Sequence, residues 1–424
     1  MKVEYIEETS VRKALEFEIE AEVVDQEIDS RARAYARKVK IPGFRPGRIP
    51  PEVIKQRFRQ QVLEDVAESL VNKVVHEELQ GRGLRPLAAP KVTDLKIDAN
   101  QPLTFRAVFE TLPLVELPEY KGLEAKARSP QVTDEDVDRE LRRLQEQAAR
   151  FDPVEGRPVQ EGDFALLDLT WKPVPAGKGG HDENALVEVG STENHADLNA
   201  TLLRMTPGET RTVCIEYAED DPKARGGRTV DYTVSLKAIK SKVLPEVDDE
   251  LAKDLGDWGS LAELKDGLRS RLLAAEERKV DREVKASLVD ALLQRASLEV
   301  PEALVERHMN ARTESTARGL LYQGIDPTRV GVDWREYREN QREDSVKAAK
   351  ADILLDEVAR REGIEVLDAE LDAEVARLAE RMSKSREAVR AKLEKEGELL
   401  ALRARIREEK TLDLLKANAR LDFE

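Results

Sequence analysis

Apolar positions along this chain change their period from one segment to the next, and each change marks a different element. In VRKALEFEIE (11–20), Leu15, Phe17 and Ile19 alternate, the two-residue period of a strand with one buried face. The period then lengthens. Val24, Ile28, Ala32, Tyr35 and Val39 lie on one helical stripe, with Asp25 in a position to cap it. That helix has to stop ahead of Pro42 and Gly43. A second helix opens at PPEVIKQRF, with Pro51 in its first turn, and carries Ile54, Phe58, Val62, Val66, Leu70, Val74 and Leu79 on one face. PLTFRAVFETLP (102–113) returns to the strand pattern. Residues 1–113 therefore predict a small α+β domain with a helix–loop–helix tip.

Beyond it comes a linker over 114–149, whose helix reads from TDEDVDRELRRLQEQAARF (133–151), with Thr133 as its cap and acids in its first turn. From 150 to 245 the chain breaks into short strands, DFALLDLTW, ALVEV, ETRTVCIEY and RTVDYTVSLKAI, joined by Pro- and Gly-bearing turns. Residues 246–424 are helical almost throughout. One long amphipathic pattern fills 260–296, Pro301 starts another helix, Trp334 stands near the start of a third, and Asp368 and Ser385 are positioned to cap two more. Narrow apolar stripes and few aromatics suit thin arms better than a thick bundle. The expected fold class is multidomain α+β: an α+β domain bearing the tip, a β-rich domain and an all-α C-terminal domain with arms.

Composition narrows the function. The 424 residues are 37% charged, 40% hydrophobic and 4% aromatic, with a net charge of -16, which argues against general nucleic-acid binding. A single cysteine, Cys214, excludes an intramolecular disulfide and fits a reducing compartment. The opening MKVEYIEETS lacks the apolar core of a signal peptide, and no apolar run approaches the ~18 residues of a membrane span. A cytoplasmic protein with no membrane partner is the expectation. His76, His181, His195 and His308 fall in separate segments without metal-ligand spacing. GKGG (177–180) lacks the phosphate-loop pattern and reads as a turn. Cys214, between Val213 and Ile215, reads as a small core or edge residue of a strand, and Asp248 with Asp249 as a solvated face. No cofactor, metal or nucleotide is expected.

One stretch does not reduce to a fold requirement. KIPGFRPGRIPPEVI (40–54) holds four prolines and two glycines around Phe44. Ten basic residues face one acid, Glu52, between residues 31 and 59, which steers the tip toward an anionic partner in a salt-dependent way. The prolines cut the loop's freedom before binding, Phe44 offers an apolar anchor, and Arg45 a fork for carboxylate or phosphate.

IPGFRPGRIP closely resembles the ribosome-docking signature of the trigger factor family, bacterial chaperones that meet nascent chains at the ribosome. The order of the three segments resembles that family along nearly all of the chain. Gly43, Phe44, Arg45 and Gly47 match the family's Gly-Phe-Arg-basic-Gly core, Pro46 stands where Lys is common, and Arg48 supplies the displaced charge. The resemblance implies an ATP-independent chaperone docked on the large subunit near the exit tunnel. It implies nascent and unfolded polypeptides as partners, and it allows a homodimer off the ribosome.

The same resemblance makes 150–245 an FKBP-like peptidyl-prolyl isomerase-type domain, in which DLTW (168–171) and HADL (195–198) align with pocket strands. Leu169 and Leu198 then replace two pocket aromatics, Tyr217 and Tyr232 keep two more, and Asp221 stands where a further Tyr is expected. Two other readings stay open: an isomerase as the main activity, and a ribosome-assembly or nucleic-acid-binding factor. Against the last, only Phe44 remains for base stacking once Tyr35 and Phe58 join helix stripes.

Overall fold

The computed structural model describes residues 1–39, 42, 44, 49–174, 179–217, 229–328 and 330–423. In chain order the first elements are β1 (Lys2–Glu7), β2 (Arg12–Ile19), α1 (Ala21–Lys38), α2 (Pro51–Arg57), α3 (Arg59–Gly81), β3 (Lys91–Lys96), β4 (Leu103–Glu110) and β5 (Glu124–Ala127). Then come α4 (Asp134–Gln147), β6 (Arg150–Val154), β7 (Phe164–Val174), β8 (Gly180–Glu188), α5 (Ala196–Leu202), β9 (Thr210–Glu216) and β10 (Thr229–Val243). The helical remainder is α6 (Asp249–Leu255), α7 (Leu261–Arg295), α8 (Glu302–Tyr322), α9 (Trp334–Asn340), α10 (Arg342–Arg361), α11 (Asp368–Arg381), α12 (Arg386–Glu396) and α13 (Glu398–Ala417), closed by β11 (Arg420–Phe423). Two compact units result: residues 1–126 with 284–422, and residues 127–283 with Phe423.

In the first unit an antiparallel sheet runs β1-β2-β4-β3. Alternation on β2 and β4 sends Leu15, Phe17, Ile19, Leu103, Phe105, Ala107 and Phe109 into a core that α1 and α3 complete with Val24, Ile28, Ala32, Val62, Val66 and Leu70. Phe17 and Phe105, register partners, stack with centroids 4.6 Å apart. The later helices bury smaller clusters. Leu304, Val305, Met309, Ala349 and Ile353 pack with Leu87 and Val115, while Leu371, Val375, Ala379, Val389 and Leu402 form another. Lys285 is buried and pairs with both Glu409 at 2.5 Å and Asp413 at 2.6 Å.

In the second unit β6-β10-β7-β8 form a sheet, with β9 also paired to β10. One edge of the fifteen-residue β10 serves two partners, its C-terminal end bonding β6 and its N-terminal half β9, while β7 pairs along the other edge. Leu167, Leu202, Met205, Val234, Leu236 and Ile239 fill its core. A second cluster joins Val137 and Leu141 of α4 to Ala252, Leu264 and Leu268. Here α4 opens on the expected Thr133 cap, which Asp136 completes as a capping box, each bonding the other's backbone N–H at 3.3 and 3.0 Å.

Some expectations change. Asp25 is not a cap, because α1 begins four residues earlier, at Ala21, and the Asp25 carboxylate instead accepts the Asn100 N–H at 2.9 Å. The second predicted helix is two, broken at Phe58, whose φ/ψ of -120°/32° is not helical. Arg150 and Phe151 open β6 rather than ending the linker helix. Asp368 is the first residue of α11, not its cap: Glu370 reaches back to the Leu367 N–H at 2.8 Å, and Asp368 pairs with Arg403. Asp248 and Asp249 are more than a solvated face, since Asp248 caps α6 at 3.0 Å and Asp249 accepts the Leu261 N–H at 2.7 Å. Gly180 opens β8, while Gly177 and Lys178 lie outside the described residues.

A tight spot fixes α7. A Cβ on Gly267 would meet the Trp258 ring at 2.3 Å, and the Arg271 guanidinium lies 5.6 Å from the same ring's centre. Glycine to alanine in a helix ordinarily gains ~0.5–1 kcal/mol. At Gly267 overpacking by ~1–3 kcal/mol outweighs that gain. Gly267→Ala is therefore expected to lower the urea midpoint, followed by tryptophan fluorescence, and a raised midpoint would show that the ring yields freely.

Candidate docking tip and isomerase-type pocket

The tip hangs between two anchored helices. At the end of α1, Val39 turns extended while its N–H still donates to the Tyr35 carbonyl at 2.9 Å. On the return, Ile49 and Ile54 are buried, and Pro51 opens α2. Tyr35 donates to Asp65 at 2.8 Å and Arg31 to Ser69 at 2.6 Å, tying α1 to α3 below the loop. Phe44 is 40% exposed and Pro42 is exposed as well. Of the other signature residues, Gly43, Arg45, Pro46, Gly47 and Arg48 lie outside the described residues.

Charge at the tip is smaller than the count of cations. Arg31 pairs with Glu27 at 3.1 Å, Lys55 with Asp29 and Glu52, and Arg59 with Asp98. Hydrogen bonds to Asp29 and then Glu52 hold the Lys55 ammonium above its ordinary pKa, and Arg59 holds the Asp98 carboxyl below its own. The Tyr35 phenol is pushed up by Asp65. Arg33, Arg37 and Arg57 are exposed and form no ion pair among the described residues. Among the described side chains of these helices, the three are cations left to face a partner.

In the second unit the four aligned pocket positions come close to one another. Leu169, Leu198 and Tyr232 are half-buried against the same core. Tyr217 shares a 2.8 Å hydrogen bond, hydroxyl to hydroxyl, with Tyr232. His195, the first residue of HADL and given no role by the resemblance, lies edge-on to Tyr217 with ring centres 5.7 Å apart, and its Nδ1 accepts the Asp197 N–H to cap α5. A polar residue directly before a short helix was the signal for that capping role. Asp221 lies outside the described residues. Cys214 is exposed on β9, and a hydrogen bond with Asp231, its register partner, pushes its thiol up.

A sheet-backed helix pair, a β domain and a long helical C-terminal region define a multidomain α+β protein. Comparison makes the class particular. The model for bacterial trigger factor protein (TF) matches residues 1–144, and that for its C-terminus matches 260–417. The trigger factor of Solibacter usitatus is 33% identical over 96% of this chain and 97% of its own length. That of Koribacter versatilis is 35% identical over 95% and 93%. A solved structure described as "Promiscuous Substrate Recognition in Folding and Assembly Activities of the Trigger Factor Chaperone" covers 98% of this chain and 99% of its own, with a TM-score of 0.52 at 23% identity, a likeness of fold. The chain belongs to the trigger factor family, and so to the ribosome-associated chaperones.

Proposed function

We propose that this protein docks through Phe44 and its flanking residues on the large ribosomal subunit near the exit tunnel, in the cytoplasm, and holds nascent chains there without ATP. The observation that carries the reading is the exposed Phe44 on a proline-flanked connection whose two ends, Val39 and Ile49, are fixed by hydrogen bonding and burial. Gly43, Arg45, Pro46, Gly47 and Arg48 complete the docking set. The division into a docking domain (1–113), linker (114–149), isomerase-type domain (150–245) and chaperone domain with arms (246–424) belongs to the same proposal. So does pairing with a second copy off the ribosome.

Holding needs apolar surface that no core has claimed. Leu321, Tyr322, Ile325 and Val332 are exposed around the end of α8, and Leu367, Met382 and Leu400 on the second group of arm helices. Trp334 stiffens the first of these ends by donating from its indole N–H to the Pro327 carbonyl at 3.0 Å. Scattered contacts of this kind bind unfolded chain weakly and without a sequence code, so folding of the client is enough for release.

Ribosome co-sedimentation at increasing salt tests the docking step. Arg33, Arg37 and Arg57 face solvent, and ~0.15 M salt screens exposed charges beyond ~8 Å. Binding is expected to weaken steadily as salt rises yet persist in part, because the Phe44 contact is apolar. Salt-independent pelleting would rule out electrostatic steering by the tip.

A further inference from the structure

A second apolar surface lies in the first unit, along α3 and β3. Leu63, Ala67 and Val71, one row along α3, face Val92, Leu95 and Ile97 across a groove of about 690 Å³. Val92 and Leu95 are 40% and 43% exposed, large for residues on the helix-covered face of a sheet. A β-bulge puts them there. Thr93 pairs with Arg106 and Lys96 with Thr104, so β3 advances three residues while β4 advances two, with Asp94 at φ 53°. The extra residue moves Leu95 onto the side of Val92 and Ile97 and leaves Lys91, Thr93 and Lys96 on the other.

We propose that this groove binds an amphipathic helical segment of a client protein, apolar on one face and carrying Lys or Arg along its flank. The proposal rests on the chaperone reading and adds a holding site within the docking domain. Three features select that occupant. The row Leu63–Ala67–Val71 repeats every four residues over about 12 Å, the ridge against which a second helix packs. Strand addition is guarded against, since β3 ends the sheet among the described residues with a bulge and two lysines, devices that deter edge pairing. Charge at the rim is acidic. Arg59 is taken by Asp98, while Glu64 and Glu68 form no ion pair among the described residues and await cations.

The test uses the full-length protein and fluorescein-labelled Leu/Ala/Lys peptides about five helical turns long. One peptide has helical periodicity, one the same composition in strict alternation, and one replaces Lys by Glu. The basic helical peptide is expected to bind best. Leu95→Asp, at an exposed position that the core does not need, should weaken it about tenfold or more. Glu64→Lys with Glu68→Lys should weaken it about tenfold and strengthen the acidic peptide. Equal or better binding of the alternating peptide would overturn the proposal in favour of strand addition. Unchanged peptide binding by all groove variants would overturn it too, as would a Leu95→Asp effect confined to self-association in sedimentation. Suppression of client aggregation, compared between wild type and Leu321→Ser/Tyr322→Ser, keeps the two readings apart. Protection that depends on those residues, alongside unaltered peptide binding in the groove variants, sinks the groove alone. A wild type that gives no protection sinks the chaperone reading beneath it.

Discussion

Replacing Phe44, Arg45 and Pro46 together by alanine will take the protein out of ribosome pellets and leave its unfolding midpoint unchanged. Both halves follow from where Phe44 and the residues that anchor the loop sit. Phe44 contributes no buried side chain to the fold, whereas the residues that return the chain to the core, Ile49 and Ile54, are untouched. The bonds of Tyr35 to Asp65 and Arg31 to Ser69 hold α1 against α3 whatever occupies the loop. At an interface, a desolvated aromatic anchor costs ~2–4 kcal/mol when truncated, a loss of roughly thirty- to a thousandfold, and the guanidinium and the stiffening proline add to it. Pelleting of the triple variant at wild-type level would place docking elsewhere. A lowered midpoint would mean that the loop supports the fold.

Legibility of the chain followed how local each interaction is. The Thr133 cap could be read directly, because the box it forms with Asp136 closes within four residues. So could the alternation of β2 and β4, whose buried faces repeat every second residue. Asp25 fails as a cap because the partner that decides its role, the Asn100 N–H, is far away in sequence. Asp368 fails because Glu370 reaches the open backbone donor first. β3 shows no strand pattern in KVTDLK, since its bulge breaks the two-residue period and all six residues are exposed. The groove beside it was invisible for the same reason.

The site divided along similar lines. A short linear signature is enough to propose the docking tip, because the role proposed for it falls on consecutive residues. The aligned positions are spread over β7, α5, β10 and the residue after β9, and His195 joins them through packing on Tyr217, which no spacing in the chain announces. Leu169, Leu198, Tyr217 and Tyr232 could be aligned from the resemblance, but the hydroxyl-to-hydroxyl bond between the tyrosines could not.

That bond bears on the remaining prediction: the full-length protein will accelerate Xaa-Pro isomerisation at least about tenfold less than aromatic-walled FKBP-like domains do. The uncatalysed barrier is ~18–20 kcal/mol and falls when the imide loses resonance, which a dry pocket fitted to the prolyl ring favours. Leu169 and Leu198 keep the wall apolar against the core but offer no flat ring face. Tyr217 and Tyr232 each spend hydrogen-bonding capacity on the other. Leu169→Phe with Leu198→Phe should raise the rate in a protease-coupled proline-peptide assay, since both positions are only half-buried and have room on the solvent side. Overpacking would cost ~1–3 kcal/mol, so the double variant's unfolding midpoint is measured alongside. A folded double variant no faster than wild type would show that ring walls are not what the pocket lacks. Wild-type turnover equal to that of an aromatic-walled domain would show that two tyrosines and His195 are enough to enclose the prolyl ring.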